Sequence, residues 1–148
     1  MTELAAPHAL TPDPEALVRG LKDGTWPRAE WTHRAHLVAG VWFVRNEGLD
    51  AACRNMPDVI RRYNEASGVA NTESAGYHET LTQAYLGEIA RQLHVLPRTV
   101  ELHGCVASVC RSDLADSDWP HRYWRRSTLW SPKARREWVD PDLRSLPA

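Results

Sequence analysis

Apolar residues in this chain recur at helical spacing, and alternating runs rich in Val, Ile and Thr, the mark of strands, are absent. Residues at i, i+3, i+4 and i+7 share one face of a 3.6-residue helix. His33, His36, Leu37, Gly40, Val41 and Val44 follow that spacing, and so do His78, Leu81, Thr82, Tyr85, Ile89 and Leu93. The pattern restricts the chain to an all-α fold, a bundle of four to five helices. At 148 residues and 43% hydrophobic content, one domain covering 1–148 is expected, burying roughly 70% of the unfolded chain's surface. Residues 1–10 show no such pattern and are expected to be flexible.

Helix ends follow from capping residues. Pro and acid in the first turn start a short helix after Thr11, and Gly20 or Gly24 stops it. Thr32 is a natural N-cap for a second helix ending at Asn46, Glu47 and Gly48. A third runs from about Leu49 to Ala66, with Pro57 expected to kink or divide it. A polar loop from Ser67 to Gly76 leads to a fourth helix, about Tyr77 to Leu93, and Pro97 opens a fifth reaching about Arg111. Beyond Asp113 the pattern breaks into short pieces that hold Trp119, Trp124, Trp130 and Trp138. This irregular, Trp- and Arg-rich segment is expected to wrap over the bundle.

Histidine occupies the first turn of both stripes. Short connections favour antiparallel neighbours, so the second and fourth helices should run the same way. His33, His36 and His78 then meet at one pole. Three imidazoles with an open position suit a catalytic divalent metal, zinc foremost, with iron, nickel or copper also accommodated. Glu79 is the candidate fourth ligand or general base acting on metal-bound water. HxxH is a weak motif by itself: seven histidines in 148 positions give about 0.3 chance occurrences. Histidines that cap helix N-termini fit the same pattern.

The third helix carries Arg62, Tyr63 and Asn64 toward this pole, and the fifth carries Cys110 and Arg111. With Tyr123, Trp124 and Arg125 from the C-terminal segment, these are the candidates to orient a small anionic substrate, Arg62 and Tyr123 close to the chemistry. His103 reads as a core histidine, and His121 as a residue at the pocket's edge or in packing. The leading expectation is a small metalloenzyme, a metal-dependent hydrolase or lyase, with oxygen chemistry at iron or copper open. A binding module without turnover, or a tryptophan-lined partner surface, are the alternatives.

Eighteen Lys and Arg against nineteen Asp and Glu give no electrostatic case for nucleic acid or an anionic membrane. Basic residues between 122 and 136 are matched by six acids in the same region, which favours internal ion pairs. No apolar run approaches a membrane span of about 20 residues, and the opening residues lack signal-peptide character. Three cysteines without a CxxC pair suggest reduced thiols. A cytoplasmic protein, monomer or homodimer, with a small-molecule ligand is expected.

Four segments, Trp31–Leu37 (WTHRAHL), Arg62–Ala66 (RYNEA), Gly76–Thr82 (GYHETLT) and Ser131–Leu143 (SPKARREWVDPDL), resemble those of a family of small uncharacterised bacterial proteins. The resemblance runs from about Trp31 to Leu143 and implies that the C-terminal segment belongs to the same unit as the histidine helices. It implies no activity. A weaker resemblance to HD-type helical metal hydrolases has His78-Glu79 where that class has an adjacent His-Asp pair.

Overall fold

The computed structural model describes residues 11–148; the expectation for residues 1–10 falls outside them. Of the described residues, 63% are helical and none lies in a strand. Helix α1 is Pro14–Asp23. The Asp13 side chain caps it by accepting from the Ala16 N–H at 3.0 Å, and Gly24 closes it in the left-handed conformation. Helix α2, His33–Glu47, begins at Thr32, whose hydroxyl accepts from the Ala35 N–H at 3.2 Å. Helix α3 is Leu49–Ala66, α4 is Glu79–His94 and α5 is Leu102–Cys110. Two short helices follow, α6 (Arg126–Leu129) and α7 (Pro132–Arg136), among 3-10 turns at Asp113–Ala115 and Trp119–Arg122.

Two helices differ from expectation. Pro57 does not divide α3. Proline lacks an N–H, so the carbonyl four residues back loses its helical donor. Gln83 Nε2 of α4 donates to that Cys53 carbonyl at 3.3 Å, so the helix continues and gains a tie to its neighbour. Helix α5 starts five residues later than Pro97 suggested. The Val100 N–H donates back to the Pro97 carbonyl as a turn, and the Val100 carbonyl accepts from Arg45 Nη2 at 2.8 Å.

Helix α2 packs against α1, α3, α4 and α5, and Ala35, Leu37, Val38, Ala39, Val41 and Phe43 on it are buried. Gly40 permits close approach to α4: a Cβ there would lie 2.7 Å from Ile89 Cδ1. The C-terminal segment is docked by hydrogen bonds as well as by apolar area. Buried Thr80, in the first turn of α4, has its Oγ1 2.7 Å from the Ala134 carbonyl and 2.8 Å from that of Glu137, and accepts from the Val139 N–H at 3.2 Å. Trp124, fully buried, donates Nε1–H to the Val139 carbonyl at 2.9 Å. No helix of the described residues is long and apolar enough to cross a membrane.

Candidate ligand cavity

The N-terminal ends of α2 and α4 and the C-terminal half of α3 enclose a cavity of about 420 Å³. That volume is in the range of small-molecule sites. Leu37, Gly40, Met56, Ile60, Leu81, Leu86 and Ile89 form its apolar body; Ser117, Pro120, His121 and Trp130 reach it from the C-terminal segment, and Arg28 and Asn64 from the opposite side. His33, His36 and His78 all line it. The parallel course of α2 and α4 does bring the three histidines to one pole.

Their ring nitrogens are not equivalent. His36 Nδ1–H donates to the Thr32 carbonyl at 2.7 Å, so Nε2 carries a lone pair with no partner among the described residues. The ring stacks on Trp31 with centroids 3.7 Å apart. Trp31 precedes the N-cap and His36 is four residues beyond it, the spacing of a hydrophobic staple. His36 lies deep in the molecule yet is exposed, because it faces the cavity. Desolvation pulls its pKa to about 4, the Thr32 hydrogen bond opposes the shift, and the charges of His33 and Arg28 add to it. His33 Nε2–H donates to the Leu114 carbonyl at 2.7 Å, leaving Nδ1 without a hydrogen-bond partner among the described residues, and the ring meets Tyr85 edge-on.

His78 is different. Its Nε2–H donates to the Leu129 carbonyl at 2.7 Å, and its Nδ1 accepts from the Leu81 N–H at 3.1 Å. Both nitrogens are occupied: the residue caps α4 and fastens the C-terminal segment to it. Burial holds its pKa down. Neutral imidazole needs a free lone pair to bind a metal. Accordingly, no group of three or more His, Cys, Asp or Glu among the described residues is arranged to hold an ion. The expected three-histidine centre is not assembled, because His78 is a capping residue.

Of the other candidate residues singled out by sequence, Asn64 and His121 line the cavity; Asn64 reaches it from α3. It accepts from Arg28 Nη1 at 2.7 Å and donates to Asn71 Oδ1 at 3.0 Å. Glu79 lies outside the lining, its carboxylate taken by the Tyr77 hydroxyl at 2.6 Å and by Gln83 Nε2 at 3.1 Å. Arg62 and Arg125 are exposed and off the cavity; Arg111 borders a separate groove beside Arg34 and His103. Tyr123 and Trp124 are buried in an aromatic cluster with Trp119 and Trp138. The displacement has a local cause: the turn at Trp119–Arg122 sends Pro120 and His121, rather than Tyr123, toward the histidines.

Sequence reasoning missed Arg28, Trp31 and Trp130. An aromatic residue directly before each cap, Trp31 before Thr32 and Tyr77 before His78, was the available signal for Trp31. Arg28 sits in a short 3-10 turn with no periodicity to place it. His121 does edge the cavity. Its Nε2 accepts from Trp130 Nε1 at 3.1 Å, while Nδ1 is buried without a hydrogen bond, 3.5 Å from Asp118. Among the described lining residues there is no carboxylate, and Arg28 is the one arginine or lysine.

Compared with known proteins, the chain matches no family model, no curated protein and no solved structure.

Proposed function

We propose that the protein is a small-molecule binding module whose cavity takes a largely apolar organic acid. The observation that carries this reading is the lining itself: an apolar body without a carboxylate, one guanidinium at the rim and two imidazole nitrogens with open lone pairs. A cation finds nothing to neutralise it there. An acid finds Arg28, already oriented by Asn64 and by Ser67 Oγ at 3.2 Å. His36 Nε2, held as an acceptor by the Thr32 bond, receives a hydroxyl or N–H of the same ligand.

The metalloenzyme reading rests on His33 Nδ1 and His36 Nε2 as the two open nitrogens. A catalytic zinc ordinarily takes three protein ligands, so this form requires a further ligand beyond the two that the described residues leave open. The resemblance to small bacterial proteins adds no chemistry to either reading. Three free thiols, Cys53, Cys105 and Cys110, suit a reduced cytoplasmic setting.

Calorimetric titration with benzoate, indole-3-acetate and hexanoate, their amides, and zinc chloride tests the proposal. The acids should bind and the amides bind more weakly. Arg28→Gln should cost about 10- to 100-fold, the range for hydrogen bonds to a charged group. Stoichiometric zinc binding lost in His36→Ala, with no response to any acid, would replace this reading with the metal one.

A further inference from the structure

A second basic site lies next to the cavity and shares Tyr77 with it. Arg61 on α3, Asn71 and Thr72 in the loop, and Arg135 and Arg136 on α7 border a cleft of about 350 Å³. Arg135 is the unusual member. Its Nη1 donates to the main-chain carbonyl of Gly76 at 3.1 Å and reaches that of Tyr77 at 3.5 Å, while its Nε is buried with no partner. Among the described residues no carboxylate pairs with it. Desolvation alone lowers its pKa. The residue is half-buried, with its guanidinium carbon 5.9 Å from the Trp130 ring centroid, and carbonyl dipoles orient the guanidinium without neutralising it.

The other two arginines are held loosely. Arg61 lies over the Tyr77 ring, 4.3 Å from its centroid, and 3.6 Å from an exposed Asp58 carboxylate. Arg136 has one exposed contact, Glu73 at 3.5 Å. The loop between them is fixed: Asn71 Oδ1 accepts from the Tyr77 N–H at 2.9 Å, and Asn71 Nδ2 donates to the Arg61 carbonyl at 3.1 Å. Glu73 is the single acid bordering the cleft against three guanidinium groups.

We propose that this cleft binds a phosphoryl group, free or carried by a small molecule. With Glu73 and the exposed Asp58 beside Arg61 both counted, the three guanidinium groups still leave a net positive charge, and guanidinium forks suit phosphate oxygens. Arg135 supplies the preoriented cation; Arg61 and Arg136 close on the anion from either side. The cleft has its own cations, and Arg28 is not among them; it is joined to the acid-binding cavity through Tyr77 and the Asn64–Asn71 hydrogen bond.

The test is titration of 15N-labelled protein with inorganic phosphate, phenyl phosphate and acetate at constant ionic strength, followed by two-dimensional NMR. The Arg135 Nε–H signal and the amides of Asn71, Thr72 and Tyr77 should shift together and saturate with a phosphate probe. Tighter binding of phenyl phosphate indicates a phosphorylated small molecule; tighter binding of inorganic phosphate indicates the free ion. Arg61→Gln at a half-buried position and Arg136→Gln at an exposed one should each weaken binding at least fivefold with unchanged spectra elsewhere. Shifts that do not saturate, shifts spread equally to Arg125 and Arg126, or unchanged affinity in both variants would overturn the proposal. Acetate binding as tightly as phosphate would do so too.

Discussion

The Nδ1–H of His36 and the carbonyl of Thr32 are 2.7 Å apart, and this one bond settles what the histidine can do. It fixes the tautomer, turns Nε2 toward the cavity as an acceptor and keeps the ring on Trp31. A neutral histidine so held differs from a catalytic base poised near neutral pH. With its pKa lowered to about 4, it receives a hydrogen bond far more readily than it takes a proton.

Stability should therefore fall as the solution is acidified. His36 and His78 are both held neutral in the folded state. Below about pH 6.5, their ordinary pKa, the unfolded chain binds protons that the folded chain refuses, and the unfolded state gains. The loss accumulates from pH 6.5 down toward pH 4 and is absent above that window. Thermal melts across this range should show the slope, and His36→Gln should flatten it. A wild-type melting temperature constant from pH 7 to pH 5 would contradict both assignments.

His78→Ala removes a helix cap and leaves the buried Leu129 carbonyl unpartnered. The expected cost is about 1–3 kcal/mol, measured by urea unfolding. It should be the same with and without EDTA. A wild-type protein destabilised by the chelator, with a variant indifferent to it, would return His78 to the role of metal ligand.

Thr80→Val keeps the shape of the side chain and deletes the hydroxyl that joins Ala134, Glu137 and Val139. It should destabilise by about 1–3 kcal/mol and speed tryptic cleavage after Arg135 and Arg136 relative to sites in α2. Unchanged cleavage rates would mean that apolar packing alone secures the segment.

Gly76→Ala should be poorly tolerated. Its φ is +84°, and an added Cβ would lie 2.5 Å from the Ala70 carbonyl oxygen and 2.8 Å from the Asn71 Cα. Strain in that region costs about 1–3 kcal/mol before the clash is counted. Because the same loop carries Asn71, signals from Asn64 and Arg28 should move as well. A variant as stable as wild type would show that the loop rearranges freely.

Much of the scaffold was legible in the chain. Asp13, Thr32 and Gly24 cap helices because local side-chain and backbone geometry suffices, without tertiary help. The stripe from His33 to Val44 could only face a core. That Pro57 would not divide α3 was not legible, because the carbonyl it orphans, Cys53, finds its donor in Gln83, thirty residues further along the chain. The C-terminal segment misled because 3-10 turns carry no periodicity, and whether Tyr123 or His121 faced the cavity depended on one turn.

By itself, the sequence determined that the chain is helical and that His33, His36 and His78 share one pole. Helical period puts each histidine on a core-facing stripe, and connections between successive helices favour antiparallel neighbours, which sets the second and fourth helices parallel. Tertiary structure alone decided which ring nitrogens remain open. His33 and His78 meet the carbonyls of Leu114 and Leu129, 81 and 51 residues away, whereas His36 is satisfied four residues back, at Thr32. A buried N–H must find an acceptor, and for His33 and His78 the acceptor comes from a segment whose path no local pattern encodes. That difference separates His78, with both ring nitrogens occupied, from His33 and His36, which each use one nitrogen on a carbonyl and line the cavity.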